Sequence, residues 1–180
     1  MMANHTQNTP YDIKVIKKQA KLNISEGALT KDYPLDVNEA CQYLNEALAT
    51  EIMCVLRYRH HQIIAKGIDR PQVAQEFEEH AEEEQRHMLM IAERINQLGG
   101  NPDFNPASVN ERTVTEYGSG VDLMAMIKED LIAERTVIMV YRKLIEWFGI
   151  QDPTTRRMLE SILKDEENHA NDLSDLLLSK

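Results

Sequence analysis

No stretch of this 180-residue chain approaches the roughly 20 consecutive apolar residues that a helix needs to cross a bilayer, so no membrane partner is expected. Cysteine is nearly absent. Cys41 and Cys54 are too few for a disulfide framework, and on one expected helix they lie about 220° apart around its axis, unable to face each other. Glycine (7) and proline (6) are scarce and gather between long uninterrupted stretches, which argues for a mostly helical chain. Basic residues are outnumbered, 20 against 30 acidic, and the net charge of −10 argues against the body of the protein binding nucleic acid. Such an acidic field either attracts cations or simply keeps the protein soluble. Met1 to Gln7 carry neither a basic n-region nor an apolar h-region, so export is not indicated and a reducing cytoplasm is the expected compartment.

What remains divides into an N-terminal extension, residues 1–35, and one helical domain, residues 36–180. The first ten residues are polar and expected to lack fixed structure. Lys14, Lys17, Lys18 and Lys21 then stand against Asp12 alone, with Ile13, Val15, Ile16 and Leu22 between them. Three readings fit this segment: an arm that touches DNA, a subunit-interface segment, or a loosely docked tail.

Four long helices are predicted from about Val37 to Lys66, Pro71 to Gly99, Val121 to Phe148, and Pro153 nearly to the C-terminus. Asp36 is the expected N-cap of the first, Gly67 and Gly149 are stops, and Pro71 and Pro153 suit first turns. Apolar residues recur at spacings of three and four on each, as in Cys41, Leu44, Leu48, Val55 and Tyr58, or Ile127, Leu131, Ile138, Tyr141 and Ile145. A glutamate interrupts every stripe: Glu51, Glu84, Glu134 and Glu166. All four stand about 20–24 Å from the short turns that join the helices in pairs. Those turns make the paired helices antiparallel. The link from about 100 to 119 is long enough to cross the bundle and make the second and third helices parallel.

Glu84 and Glu166 each precede a histidine by three residues, His87 and His169, so carboxylate and imidazole share a helix face. Glu51 precedes the first pair by 33 residues and Glu134 the second by 32. Chance supplies about 0.6 Glu-x-x-His pairs in such a chain, and a chance pair has no reason to interrupt a core stripe. Buried carboxylates are costly unless they hold metal. Four of them with two imidazoles match the ligand set of a four-helix di-iron or di-manganese protein, and two divalent ions would cancel their charge. By symmetry Glu84 and Glu166 bridge both ions, Glu51 and His87 complete one, and Glu134 and His169 complete the other. Asp130 and Asp165 are either partners for the candidate ligand histidines or surface residues, and Tyr58 is a candidate electron donor or packing residue. The run Glu76, Glu78, Glu79, His80, Glu82, Glu83 is either a solvated face or a staging area for cations. His5, His60, His61 and His80 default to surface or interface positions.

The segments Leu44–Glu51, Glu84-Gln85-Arg86-His87, Asp130–Glu134 and Asp165–His169 resemble the ferritin-like superfamily, with a site like that of bacterioferritin. The resemblance covers about residues 37–178 and implies a ferroxidase and iron-storage protein that oxidises Fe(II) with O2 or H2O2 at two iron ions, manganese being the alternative. Tyr58 matches a tyrosine beside the bacterioferritin di-iron site. Three departures qualify it. Gln85 stands where bacterioferritins carry a haem-ligating methionine, so haem is not expected. The eleven residues after His169 leave no room for a fifth helix, and the N-terminal extension is additional. The last two resemble Dps-like mini-ferritins, which implies a homo-oligomeric cage of twelve rather than twenty-four subunits. Thr136 stands where many of that group carry a cysteine, so thiol chemistry is not implied. The rival readings are a non-storing rubrerythrin-like peroxidase or manganese catalase, and a DNA-protecting shell acting through the basic arm.

Overall fold

The computed structural model describes residues 9–67 and 69–178. Its elements are α1 (Ile13–Gln19), a 3-10 turn (Ile24–Glu26), α2 (Val37–Ile64), α3 (Arg70–Gln97), α4 (Pro106–Arg112), α5 (Leu123–Phe148) and α6 (Pro153–Leu178). No strand occurs among the described residues. The expectation of an unstructured start, and the place of His5, fall largely in residues 1–8, outside the described residues.

Capping chemistry sets the helix limits. Asp36 accepts from the Glu39 amide at 3.0 Å and Asp122 from the Ala125 amide at 2.9 Å. Asp152 caps α6 by accepting from the Thr155 amide at 2.9 Å, while also receiving Arg94 Nη2 at 2.9 Å and Tyr33 Oη at 2.8 Å. Helix α2 stops three residues short of Gly67. Ala65 turns to an extended ψ of 135° and gives its carbonyl to Arg70 Nε at 3.0 Å, closing the hairpin early. Gly149, with φ +47°, makes the other turn in a conformation that side chains disfavour.

Helices α2 and α3 form one hairpin and α5 and α6 the other, and the two pack into a four-helix bundle. The crossover is stitched along the outside of α2 in chain order. Arg112 Nη1 donates to the Asn45 carbonyl at 2.7 Å, the Val114 amide to Thr50 Oγ1 at 3.1 Å, and Arg57 Nη1 to the Glu116 carbonyl at 2.9 Å. The chain therefore returns to the end of the bundle where α3 began, and α5 runs parallel to α3. The predicted link had no structure of its own. The short α4 was missed, although Asn105-Pro106 is a good N-cap and first-turn pair, and Asn105 does accept from the Ala107 amide at 3.1 Å.

The 1–35 segment is not uniform. Leu29, Tyr33 and Leu35 pack against the core, whereas residues 11–28, including α1, are exposed throughout.

Apart from a small side cluster of Ala49, Met53 and Val109, the apolar packing forms two plugs. Leu44, Leu48, Ile91, Ile95, Phe148, Leu159 and Ile162 fill one end of the bundle. Tyr58, Phe77, Ala81, Met126, Ile127 and Leu173 fill the other. On every helix the interrupting glutamate falls between them, so the polar layer is sealed from both ends.

Candidate metal centre

Each interrupting glutamate is at most 1% exposed, and His87 and His169 are buried with them. The structure brings all six together as two overlapping clusters, Glu51–Glu84–His87–Glu166 and Glu84–Glu134–Glu166–His169. Within each, one ligand atom per residue lies within 4.8 Å of the others. Glu84 and Glu166 belong to both. Glu84 presents Oε2 to His87 Nδ1 at 3.2 Å and Oε1 to His169 Nδ1 at 3.5 Å. Glu166 does the same at 3.1 and 3.5 Å with its own two oxygens. Glu51 joins only the His87 side, its Oε2 3.8 Å from Nδ1, and Glu134 only the His169 side.

Whether these groups suit divalent cations is tested by what they leave unpaired. Glu51 Oε2, Glu84 Oε1, Glu134 Oε2, both Glu166 oxygens and His169 Nδ1 are buried without a hydrogen-bond partner. Orphaned acceptors in a dry interior are expensive, and two shared cations would satisfy all of them. The oxygen and imidazole donor set fits iron or manganese better than softer metals.

The far side of each imidazole is held as well. His87 Nε2 meets Asp165 Oδ2 at 3.3 Å, and His169 Nε2 meets Glu83 Oε2 at 2.7 Å. Each ring is thus fixed by the residue preceding the shared glutamate of the other hairpin, which keeps Nδ1 aimed inward. Asp165 stands where the sequence suggested. Asp130 does not. It takes Arg57 Nε at 2.7 Å and His61 Nδ1 at 2.8 Å instead, because it faces α2 whereas His87 and His169 lie on α3 and α6.

Two tyrosines cross the site. Tyr58 donates to Glu134 Oε1 and Tyr141 to Glu51 Oε1, each reaching the unshared glutamate of the opposite hairpin. In the sequence Tyr58 stands out by its family resemblance, whereas Tyr141 reads only as a member of its helix's apolar stripe. The internal repeat held the signal, since both tyrosines stand seven residues after their own hairpin's single glutamate. Glu83 is likewise the counterpart of Asp165. His61 and His80 are buried rather than at the surface, and His60 stacks on Tyr117 with centroids 5.6 Å apart. Cys54, one turn beyond Glu51, is a buried free thiol. Burial first, and then the nearby Glu84, Glu134 and Glu51, raise its pKa well above the ordinary thiol value despite Arg57.

Burial, and then the charges of Glu84 and Glu166, push Glu51 and Glu134 well above the usual carboxylate range. Glu84 moves the other way. Burial opposes its charge, but the close approach of His169, His87 and Glu51 holds it well below. Burial also disfavours imidazolium, yet the close carboxylates of Glu166, Glu51 and Glu84 hold His87 far above its ordinary value. Those of Glu166 and Glu84 push His169 up to about 12. The metal-free centre therefore stores protons on Glu51, Glu134, His87 and His169.

These four raised groups share one sign. Their stabilisation is complete below the unfolded values, about 4.3 for Glu and about 6.5 for His, and is lost as pH climbs toward the folded ones. Glu84 opposes this only in acid. The Tm of metal-free protein, followed by circular dichroism, should therefore fall between roughly pH 6 and pH 9. A bound divalent ion replaces the stored protons, so it should flatten that slope and bind more tightly as pH rises. A metal-free Tm that is constant or rises over this range would contradict the proton inventory.

The fold and the paired clusters define a helical-bundle protein with a carboxylate- and histidine-lined interior suited to two metal ions. A model of the ferritin-like domain matches residues 41–179, and the chain belongs to the ferritin-like family. It is 30% identical over 145 residues to a nutrient stress-induced DNA-binding protein of Synechococcus, covering 78% of this chain and 81% of that one. A dodecameric thioferritin, the bacterioferritin-related protein of Bacteroides fragilis, superposes with a TM-score of 0.78 at 33% identity, covering 81% and 88% of the two chains. A ferritin-like diiron-carboxylate protein of Bacillus anthracis gives 0.70 at 31% identity, covering 78% and 96%.

Proposed function

We propose that the chain is a ferroxidase that takes two Fe(II) ions as substrate at this centre and stores or detoxifies the ferric product. The observation that carries this reading is the double membership of Glu84 and Glu166, each with one oxygen toward either histidine. Glu51 and His87 complete one position, Glu134 and His169 the other. Each Fe(II) gives up one electron. With H2O2 the two electrons break the O–O bond and yield two hydroxides. With O2 they and two protons yield H2O2. The four carboxylates neutralise the incoming charge, Asp165 and Glu83 hold the imidazoles, and the apolar plugs exclude bulk water. When a single Fe(II) is bound, Tyr58 supplies the second electron to H2O2 and its phenolic proton passes to Glu134, its hydrogen-bond partner; manganese is the alternative metal.

Gln85 is exposed at the position where the resembled family carries its haem ligand, so haem has no part in this reading. Residues 36–180 form the catalytic unit, and 1–35 an extension to it. Likeness to the dodecameric Bacteroides protein favours a cage of twelve copies around the mineral, and the cytoplasm remains the proposed compartment. The exposed Lys14, Lys17, Lys18 and Lys21 on and beside α1, together with the name of the Synechococcus relative, favour a second role in contact with DNA.

Anaerobic protein given Fe(II) and then O2 or H2O2 should develop ferric absorbance in a fast phase of about two iron ions per chain. A slower phase should leave iron that co-elutes with the oligomer. Peroxide turnover with no retained iron would favour a non-storing peroxidase or catalase. Ferric growth no faster than in protein-free buffer would end the proposal.

A further inference from the structure

Outside the six-residue centre, a cleft of about 360 Å³ opens between α3 and α6, against the His169 side of the bundle. Glu76 and His80 enter it from α3 and Asp172 from α6. One ligand atom from each lies within 4.8 Å of the others. His80 Nε2 is 3.3 Å from Glu76 Oε1 and 3.9 Å from Asp172 Oδ2. An acidic surface cleft alone would mean little, since solvated glutamates and aspartates need no ion. The imidazole is what sets this one apart.

His80 is 2% exposed, and neither of its ring nitrogens has a hydrogen-bond partner. Buried polar nitrogens of this kind are rare because the lost hydration is not repaid. The ring is also held in place. It stacks on His169 with centroids 4.1 Å apart and meets the edge of Tyr58 at 5.2 Å. Nε2 is therefore aimed at the two carboxylates by packing against the centre itself. One imidazole and two carboxylates, with room for water, suit a divalent cation with nitrogen and oxygen preferences.

We propose that Glu76, His80 and Asp172 bind a third divalent cation, and that Fe(II) pauses there before passing the His169 side into the centre. The binding site stands on its own geometry. Its place on the route rests on the ferroxidase reading above. Glu83, which lines the cleft and also holds His169 Nε2, links the two sites.

The test is anaerobic titration of the oligomer with Co2+, read from its visible absorption, in wild type and three variants. Glu76 and Asp172 are partly exposed, so the double variant E76Q/D172N should fold normally and bind one Co2+ fewer per chain than wild type. The double variant E84A/E166A should lose the equivalents of the centre and keep this one. H80Q should match E76Q/D172N. The proposal is overturned if wild type and E76Q/D172N bind equally, or if E84A/E166A binds none. A failure of the centre has a different signature: wild type would bind one equivalent only, and E76Q/D172N none. Stopped-flow oxidation at limiting Fe(II) tests the route. The fast phase should slow several-fold in E76Q/D172N, and an unchanged rate would remove the cation from the path while leaving it bound.

Discussion

Replacing Glu84 or Glu166 by alanine should slow ferric absorbance growth at least about a hundredfold. Changing a partner that only orients a ligand already costs roughly 10- to 100-fold. Loss of either shared glutamate removes one oxygen from each cluster at once, so neither position keeps its ligand set. Glu51→Ala and Glu134→Ala each strip one position only and should fall between these variants and wild type. The variants should remain folded. Removing Glu84 or Glu166 takes a carboxylate away from the raised His87 and His169, so the metal-free Tm should fall below that of wild type. Stopped-flow absorbance paired with thermal unfolding separates the two effects. Wild-type rates in both Glu84→Ala and Glu166→Ala would remove the centre from the chemistry.

Asp130→Ala should have the largest effect on stability. Arg57 is fully buried, and Asp130 supplies its charge partner at 2.7 Å while also holding His61 at 2.8 Å. Truncating one member of a buried pair leaves an uncompensated charge, at about 3–5 kcal/mol. In a chain of this length that lowers Tm by about 10 °C. Asp130→Asn keeps an acceptor for the guanidinium and should lose less. Arg57 also donates to the Glu116 carbonyl, so the loss should loosen the crossover against α2 and be visible as faster amide exchange there. A Tm within about 1 °C of wild type would show that the pair adds nothing beyond what water supplies.

The convergence of six side chains was legible because burial of a charge leaves a mark on a periodic pattern. Glutamates that interrupt four apolar stripes at one height have few explanations, and two Glu-x-x-His spacings narrow them further. Tyr141 and Glu83 were equally legible once the two hairpins were treated as copies, since each repeats an offset already noted for Tyr58 or Asp165. Asp130 was misplaced because spacing along one helix fixes a direction but not the helix it faces. His61 and His80 default in the sequence to the surface or an interface, and within the chain both are buried. A histidine on a helix carries no sign of whether its neighbours will cover it.

Helix order, the antiparallel pairing, the long crossover and the six convergent side chains were set by periodicity, capping residues and link lengths, all of them local. Tertiary packing alone decided that two tyrosines bond the opposite hairpin's glutamates, that Arg57 and Asp130 form a buried pair, and that Asp172 joins His80. Each of those contacts joins residues on different helices, and their meeting depends on how the helices rotate and approach, which no local pattern encodes.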